Sequence, residues 1–189
     1  MSILSYLDLV KIVEAGVITN IKPEMINGTS IDISVGNIFY REKNNGRGGI
    51  PGGVVKLGNS ATERVPPDME KVILKSDGVL RINPGQCILG QSQQVFNLPP
   101  YLSCEVKLKS STGRSFLNHM LAGWCDPTWN GSVLTMEFKN ELEHHYIELP
   151  VGTCVAQMIF FKHVSVPPGR DYASRGRYNG DKEVKVMKP

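Results

Sequence analysis

The chain has 189 residues, of which 41% are hydrophobic and 21% charged, ordinary values for a folded domain that exclude a low-complexity or disordered chain. Its formal charge is +3, unevenly placed: from Lys162 onward seven Lys/Arg stand against three Asp/Glu, a net +4 that leaves the rest of the chain at −1. A basic tail on a near-neutral body is a solvated terminus or an arm that meets phosphates. Cysteines at 87, 104, 125 and 154 have no paired spacing. Neither a zinc site nor a disulfide framework is expected, in keeping with a reducing compartment. The N-terminus lacks a basic region followed by an apolar run, and no stretch reaches eighteen consecutive apolar residues. The expectation is one soluble, cytoplasmic domain over 1–189, with no membrane span.

In chain order, residues 5–15 are predicted to form a helix. Ser5 and Asp8 form a start signal, Leu7, Val10 and Val13 recur at helical spacing, and Gly16 stops it. After it come short apolar runs, Ile31–Val35, Val72–Leu74, Cys87–Leu89, Val133–Met136 and Val155–Phe161, divided by N-G, D-G, P-G and P-P. That punctuation predicts a mainly antiparallel β fold, a sandwich or a barrel. Residues 41–68 interrupt it with six glycines between 46 and 58 and prolines at 66 and 67, a long loop that is either mobile or functional. Beyond Pro168 the tail is rich in Arg, Tyr and Gly, and is expected to lie on a surface or close over a ligand as a mobile lid, 168–189.

Two stretches carry chemistry. Residues 107–115 read K-L-K-S-S-T-G-R-S, and a short helix is predicted near 110–119 with Phe116 and Leu117 as its apolar anchors. A helical turn there sets Ser110 and Ser111 at an N-terminus, where free N–H groups favour an anion. Ser110 and Arg114, four apart, share a face with Lys109 behind them, a cradle for a phosphate or a polar base. A serine cap with a solvent-facing arginine fits the same pattern. Residues 122–131 read A-G-W-C-D-P-T-W-N-G. Asp126 stands in a proline turn between Trp124 and Trp129, which make good walls for a planar ligand. In the strand that follows, Val133, Thr135 and Glu137 fall on one face and Leu134, Met136 and Phe138 on the other. Glu137 either points to solvent or is buried, with a raised pKa suited to proton transfer.

The sequence resembles the dCTP deaminases of the trimeric dUTPase superfamily over most of its length. The resemblance rests on I-N-G-T-S-I-D-I-S-V-G-N-I-F (26–39), I-N-P-G-Q-C-I-L-G with L-P-P-Y-L (82–102), K-S-S-T-G-R (109–114), A-G-W-C-D-P-T-W-N-G, V-A-Q-M-I-F (155–160) and R-Y-N-G (177–180), in that order. It implies a distorted β-barrel of the trimeric dUTPase type, and a homotrimer with active sites shared between subunits. It also implies zinc-independent deamination of dCTP, in keeping with the absent H-x-E…P-C-x-x-C signature. The A-G-W form resembles the bifunctional branch that continues to dUMP and pyrophosphate, feeding thymidylate synthesis. Carried over by position, Glu137 is the general base, Ser110 and Arg114 orient water and base, and the Ala122 carbonyl faces the leaving ammonia. Asp126 accepts from the sugar 3′-hydroxyl, and Trp124 walls the site. Lys109, Ser111, Arg177 and Tyr172 hold the triphosphate with its Mg²⁺, and Gln157 and Tyr178 sit beside the nucleotide.

Three departures qualify this. Lys109 replaces the family's arginine and loses its bidentate fork. The path from Gly131 to Glu137 is one residue longer, so a bulge is expected there. Leu121 stands where threonine is usual, which counts against feedback inhibition by dTTP. A dUTPase and a non-catalytic nucleotide-binding domain of the same fold are the alternatives. A nucleic-acid binder has no stacking platform or recognition motif behind it.

Overall fold

The computed structural model describes residues 2–43, 54–120 and 122–188. Strand β1 (Ser2–Ile3) leads into helix α1 (Tyr6–Glu14), and the long strand β2 (Ile31–Glu42) follows. Then come β3 (Met69–Ile73), β4 (Val79–Ile82), β5 (Cys87–Asn97), β6 (Leu102–Leu108) and the single turn α2 (Ser110–Arg114). Strands β7 (Leu117–His119), β8 (Trp124–Cys125), β9 (Asn130–Asn140), β10 (Ile147–Pro150) and β11 (Cys154–Lys162) precede α3 (Tyr172–Arg175). Every apolar run predicted as a strand falls within or against one, and the fold is mainly β as expected. No described helix is long and apolar enough to cross a membrane.

Nine strands form one curled sheet in the order β7-β9-β5-β2-β11-β6-β8, with β1 on β11 and β3 on β2, all antiparallel; β4 and β10 pair apart. The curl has a local cause. Strand β2 pairs with β11 over Ile31–Ser34 and then with β5 from Val35. Between Val35 and Phe39 it carries two residues more than β5 does, so the strand bends there. Strand β5 is likewise irregular between Gln91 and Val95. Side chains take over the lost ladder bonds: Ser34 N–H donates to Gln94 Oε1 at 3.0 Å, and Leu134 N–H to Ser92 Oγ at 2.9 Å. Both hydroxyl residues and Gln94 are buried, so these bonds satisfy groups that water cannot reach. Phe39, Phe96, Phe138, Phe160 and Met136 fill the concave core.

Three expectations are corrected. In α1 the buried face is centred on Leu9 with Ile12 and Val13 beside it, while Leu7 is 69% exposed. The predicted helix near 110–119 stops at Arg114, because Phe116 adopts φ +60 and Leu117–His119 pair with β9. Leu117 anchors as predicted, but Phe116 is exposed. The expected bulge stands at the head of the path to Glu137. Phe96 pairs with Ser132 and Asn97 with Asn130, so Gly131 is the extra residue, at φ +62 where glycine is tolerated best. Most of the glycine-rich segment, 44–53, lies outside the described residues, as does Leu121.

Candidate active site

Strand β9 alternates as its sequence requires. Leu134, Met136 and Phe138 are buried in the core, and Val133, Thr135 and Glu137 face a cavity of about 680 Å³. Its other walls come from β5 (Cys87–Leu89), the adjoining ends of β2 and β3, β8 with its flanking turn, and the C-terminal tail. Along residues 122–127 burial alternates: Ala122, Trp124 and Asp126 are exposed toward one side, and Gly123, Cys125 and Pro127 are buried. Gly123 is required by close approach, since a Cβ there would stand 2.8 Å from Val106 Cγ1 and 3.0 Å from the Val106 carbonyl. The A-G-W triplet thus lets β8 lie flush against β6.

Glu137 is half-buried, and burial pushes its carboxyl above the ordinary value; a hydrogen bond from the Ala122 N–H partly offsets this. It is therefore the cavity-facing, desolvated carboxylate of the two possibilities. Trp124 Nε1–H donates to Asp126 Oδ1 at 3.1 Å, and its ring leans on Phe161. Trp129 serves the core more than the ligand space. It is 7% exposed, stacks on Phe96 at 5.2 Å between centroids, and its indole N–H holds the Tyr178 carbonyl at 2.9 Å.

The tail is tied to this wall by many bonds. Gly180 N–H donates to the Asn130 carbonyl, Val133 N–H to the Asp181 carbonyl, and Val184 N–H to Gln91 Oε1, each at 3.0 Å. Val184 is fully buried, and Glu183 pairs with Lys71 and Lys185, which hold its carboxyl down at about 2. Lys188 pairs with Asp181 and donates to the Arg177 carbonyl at 2.7 Å. Tyr172 packs behind Asp126 and accepts from the Tyr178 N–H at 3.3 Å; burial raises its phenol.

Six of the sequence-predicted residues therefore come together: Glu137, Ala122, Trp124, Asp126, Tyr172 and Tyr178 all line the cavity. Lys109, Ser110, Ser111, Arg114, Gln157 and Arg177 do not. Lys109 makes a close ion pair with Asp32, which also accepts from Asn27 Nδ2 at 2.9 Å. Gln157, the register partner of Asp32, accepts from Ser30 Oγ at 3.2 Å. Ser110, Ser111 and Arg114 are exposed on α2. Sequence reasoning missed Asp32 as the partner of Lys109 and Asn27 as the donor to Asp32, although both lie inside the quoted 26–39 motif. It also missed Lys185, Val186 and Met187 as cavity wall, where the alternation E-V-K-V was the available signal. Among the described residues no group of three His, Cys, Asp or Glu is placed to hold a metal ion.

In architecture the chain has the fold of a solved, larger β protein. It superposes on the crystal structure of 2′-deoxycytidine 5′-triphosphate deaminase from Agrobacterium tumefaciens with TM-score 0.62 and 17% identity. The match covers 84% of this chain and 48% of that longer one, so the chain spans about half its length. The chain is a member of the dCTP deaminase-like family, whose sequence model matches residues 3–163. Relatives named "dCTP deaminase, dUMP-forming" include that of Methanopyrus kandleri, 29% identical across 100% of this chain and 96% of its own. The protein of that name from Acidothermus cellulolyticus is 30% identical over 85% of this chain and 80% of its own.

Proposed function

We propose that this protein deaminates dCTP hydrolytically, giving dUTP and ammonia, and continues to dUMP and pyrophosphate; its relatives' name, "dCTP deaminase, dUMP-forming", supports the formation of dUMP. The observation that carries the reading is Glu137: a half-buried carboxylate of raised pKa, facing a cavity beside Asp126. Glu137 takes a proton from water as it attacks C4 of cytosine, and gives it to the departing amine, so dCTP and water become dUTP and ammonia. No zinc enters this chemistry. The Ala122 N–H holds the Glu137 carboxylate, and the Ala122 carbonyl meets the leaving ammonia. Asp126 accepts from the 3′-hydroxyl, Tyr172 holds the triphosphate, and Tyr178 sits beside the nucleotide.

Lys109, Ser110, Ser111, Arg114 and Gln157 do not line the Glu137 cavity, which supports a homotrimer in which one subunit's α2 completes its neighbour's cavity. Ser110 and Arg114 then orient water and base from across the interface. Lys109 and Ser111, with Arg177 of the tail, hold the triphosphate. Mg²⁺ travels with the phosphates and neutralises part of their charge, so it needs no protein carboxylate cage. Nothing in this reading involves nucleic acid or a membrane, and its setting is the cytoplasm.

The test is product chromatography after incubation with dCTP and Mg²⁺, with dUTP in parallel. Conversion of dCTP to dUMP supports both steps, and dUTP alone supports deamination only. Hydrolysis of dUTP with dCTP untouched replaces this reading with a dUTPase, and no reaction with either leaves a binding domain.

A further inference from the structure

We infer that Trp124 is a positioning residue whose indole N–H orients the Asp126 carboxylate toward the sugar 3′-hydroxyl, so that Trp124 sets discrimination between a 2′-deoxynucleotide and its 2′,3′-dideoxy counterpart. The inference rests on the reading of Asp126 above. The Trp124 Nε1–H reaches Asp126 Oδ1 at 3.1 Å, and among the described residues this is the one hydrogen bond to that carboxylate. Oδ2 stays available to accept from a ligand hydroxyl. The indole is itself seated: its ring leans on Phe161 of β11, with centroids 5.7 Å apart and planes at 32°. The backbone beneath is held from the other side. Trp129 N–H donates to the Asp126 carbonyl at 3.3 Å, and Tyr172 N–H to the Pro127 carbonyl at 3.2 Å.

Asp126 is exposed, and an exposed carboxylate samples several rotamers that binding must narrow. Engaging one oxygen beforehand leaves the other in a set direction, which favours a ligand with a hydroxyl there and does nothing for one without it. Trp124 thereby acts on selectivity through Asp126, beyond forming a wall.

Calorimetry separates these roles, with dCTP and 2′,3′-dideoxy-CTP titrated into the assembled protein in a Glu137→Gln background so that neither is deaminated. Trp124→Phe keeps an aromatic ring for Phe161 and removes only the donor. It is expected to weaken dCTP about fivefold, the size of one hydrogen bond, while dideoxy-CTP binds as before. Asp126→Ala is expected to abolish the preference altogether. If Trp124→Phe weakens both nucleotides alike, or leaves their ratio unchanged, the positioning role is wrong although Asp126 keeps its own. If Asp126→Ala leaves the ratio intact, the underlying reading of Asp126 fails instead. A parent protein that binds neither nucleotide sinks both.

Discussion

Two groups of polar residues stand on this chain, and they are built differently. Around Glu137 the carboxylate is half-buried in a cavity walled by Trp124, Val133 and Met187, and burial raises its proton affinity. Around Lys109 the charges are matched: the ammonium pairs with Asp32, which Asn27 also supports, and Ser110, Ser111 and Arg114 face outward. A group meant to move a proton near neutral pH gains from desolvation. A group meant to hold an anion gains from remaining charged. The chain thus separates a desolvated carboxylate from a set of charged donors, and the proposed function unites them by assembly.

The harshest way to break this contrast is Glu137→Gln, expected to lower deamination by about 10²–10⁴-fold with the oligomer intact by light scattering. Undiminished ammonia release would remove Glu137 from the mechanism. Next, Glu137→Gln subunits and Ser110→Ala/Arg114→Ala subunits, each inactive alone, are expected to recover roughly a quarter of the wild-type rate when refolded together, by random assortment of neighbours. No recovery would place both groups at one subunit's own site.

A third measurement concerns pH. The Glu137 pKa is raised above 4.5, so the folded state holds this proton more tightly than the unfolded chain. This contribution to stability is full below pH 4.5 and is lost as pH rises through the folded-state value. Urea midpoints are expected to show that decline in the wild type and to lack it in Glu137→Gln. The acid limb of kcat/KM should fall in the same interval, since the base must be ionised. The smallest effect is expected from Asp32→Asn, about 1 kcal/mol in chemical denaturation, because the pair it removes is part-exposed and Asn27 remains close.

Much of this was legible in the chain because it is local. N-G, D-G and P-G mark the strand ends, and alternation alone places Glu137 with Val133 and Thr135. The Gly131 bulge followed from counting residues. What escaped is what joins distant positions. The sheet bends where Ser34 meets Gln94, sixty residues apart, and no window contains both. The face of α1 was misplaced from Leu9 to Leu7 because both are leucines and only the sheet beneath decides between them. The predicted helix after Lys109 ran too long because Phe116 occupies a left-handed conformation that an aromatic residue seldom adopts. Val184 looked like part of a solvated tail because the pocket that receives it belongs to other strands.

That buried valine has a thermodynamic consequence. With Val184 enclosed and bonded to Gln91, and Gly180 and Asp181 bonded to β9, the segment from Gly180 to Val184 is ordered by folding itself. Fixing a residue's backbone costs about 1–2 kcal/mol in conformational entropy. A tail that orders only around its ligand deducts that cost from binding, whereas here it falls on folding, leaving the affinity of the Trp124–Asp126 wall free of it.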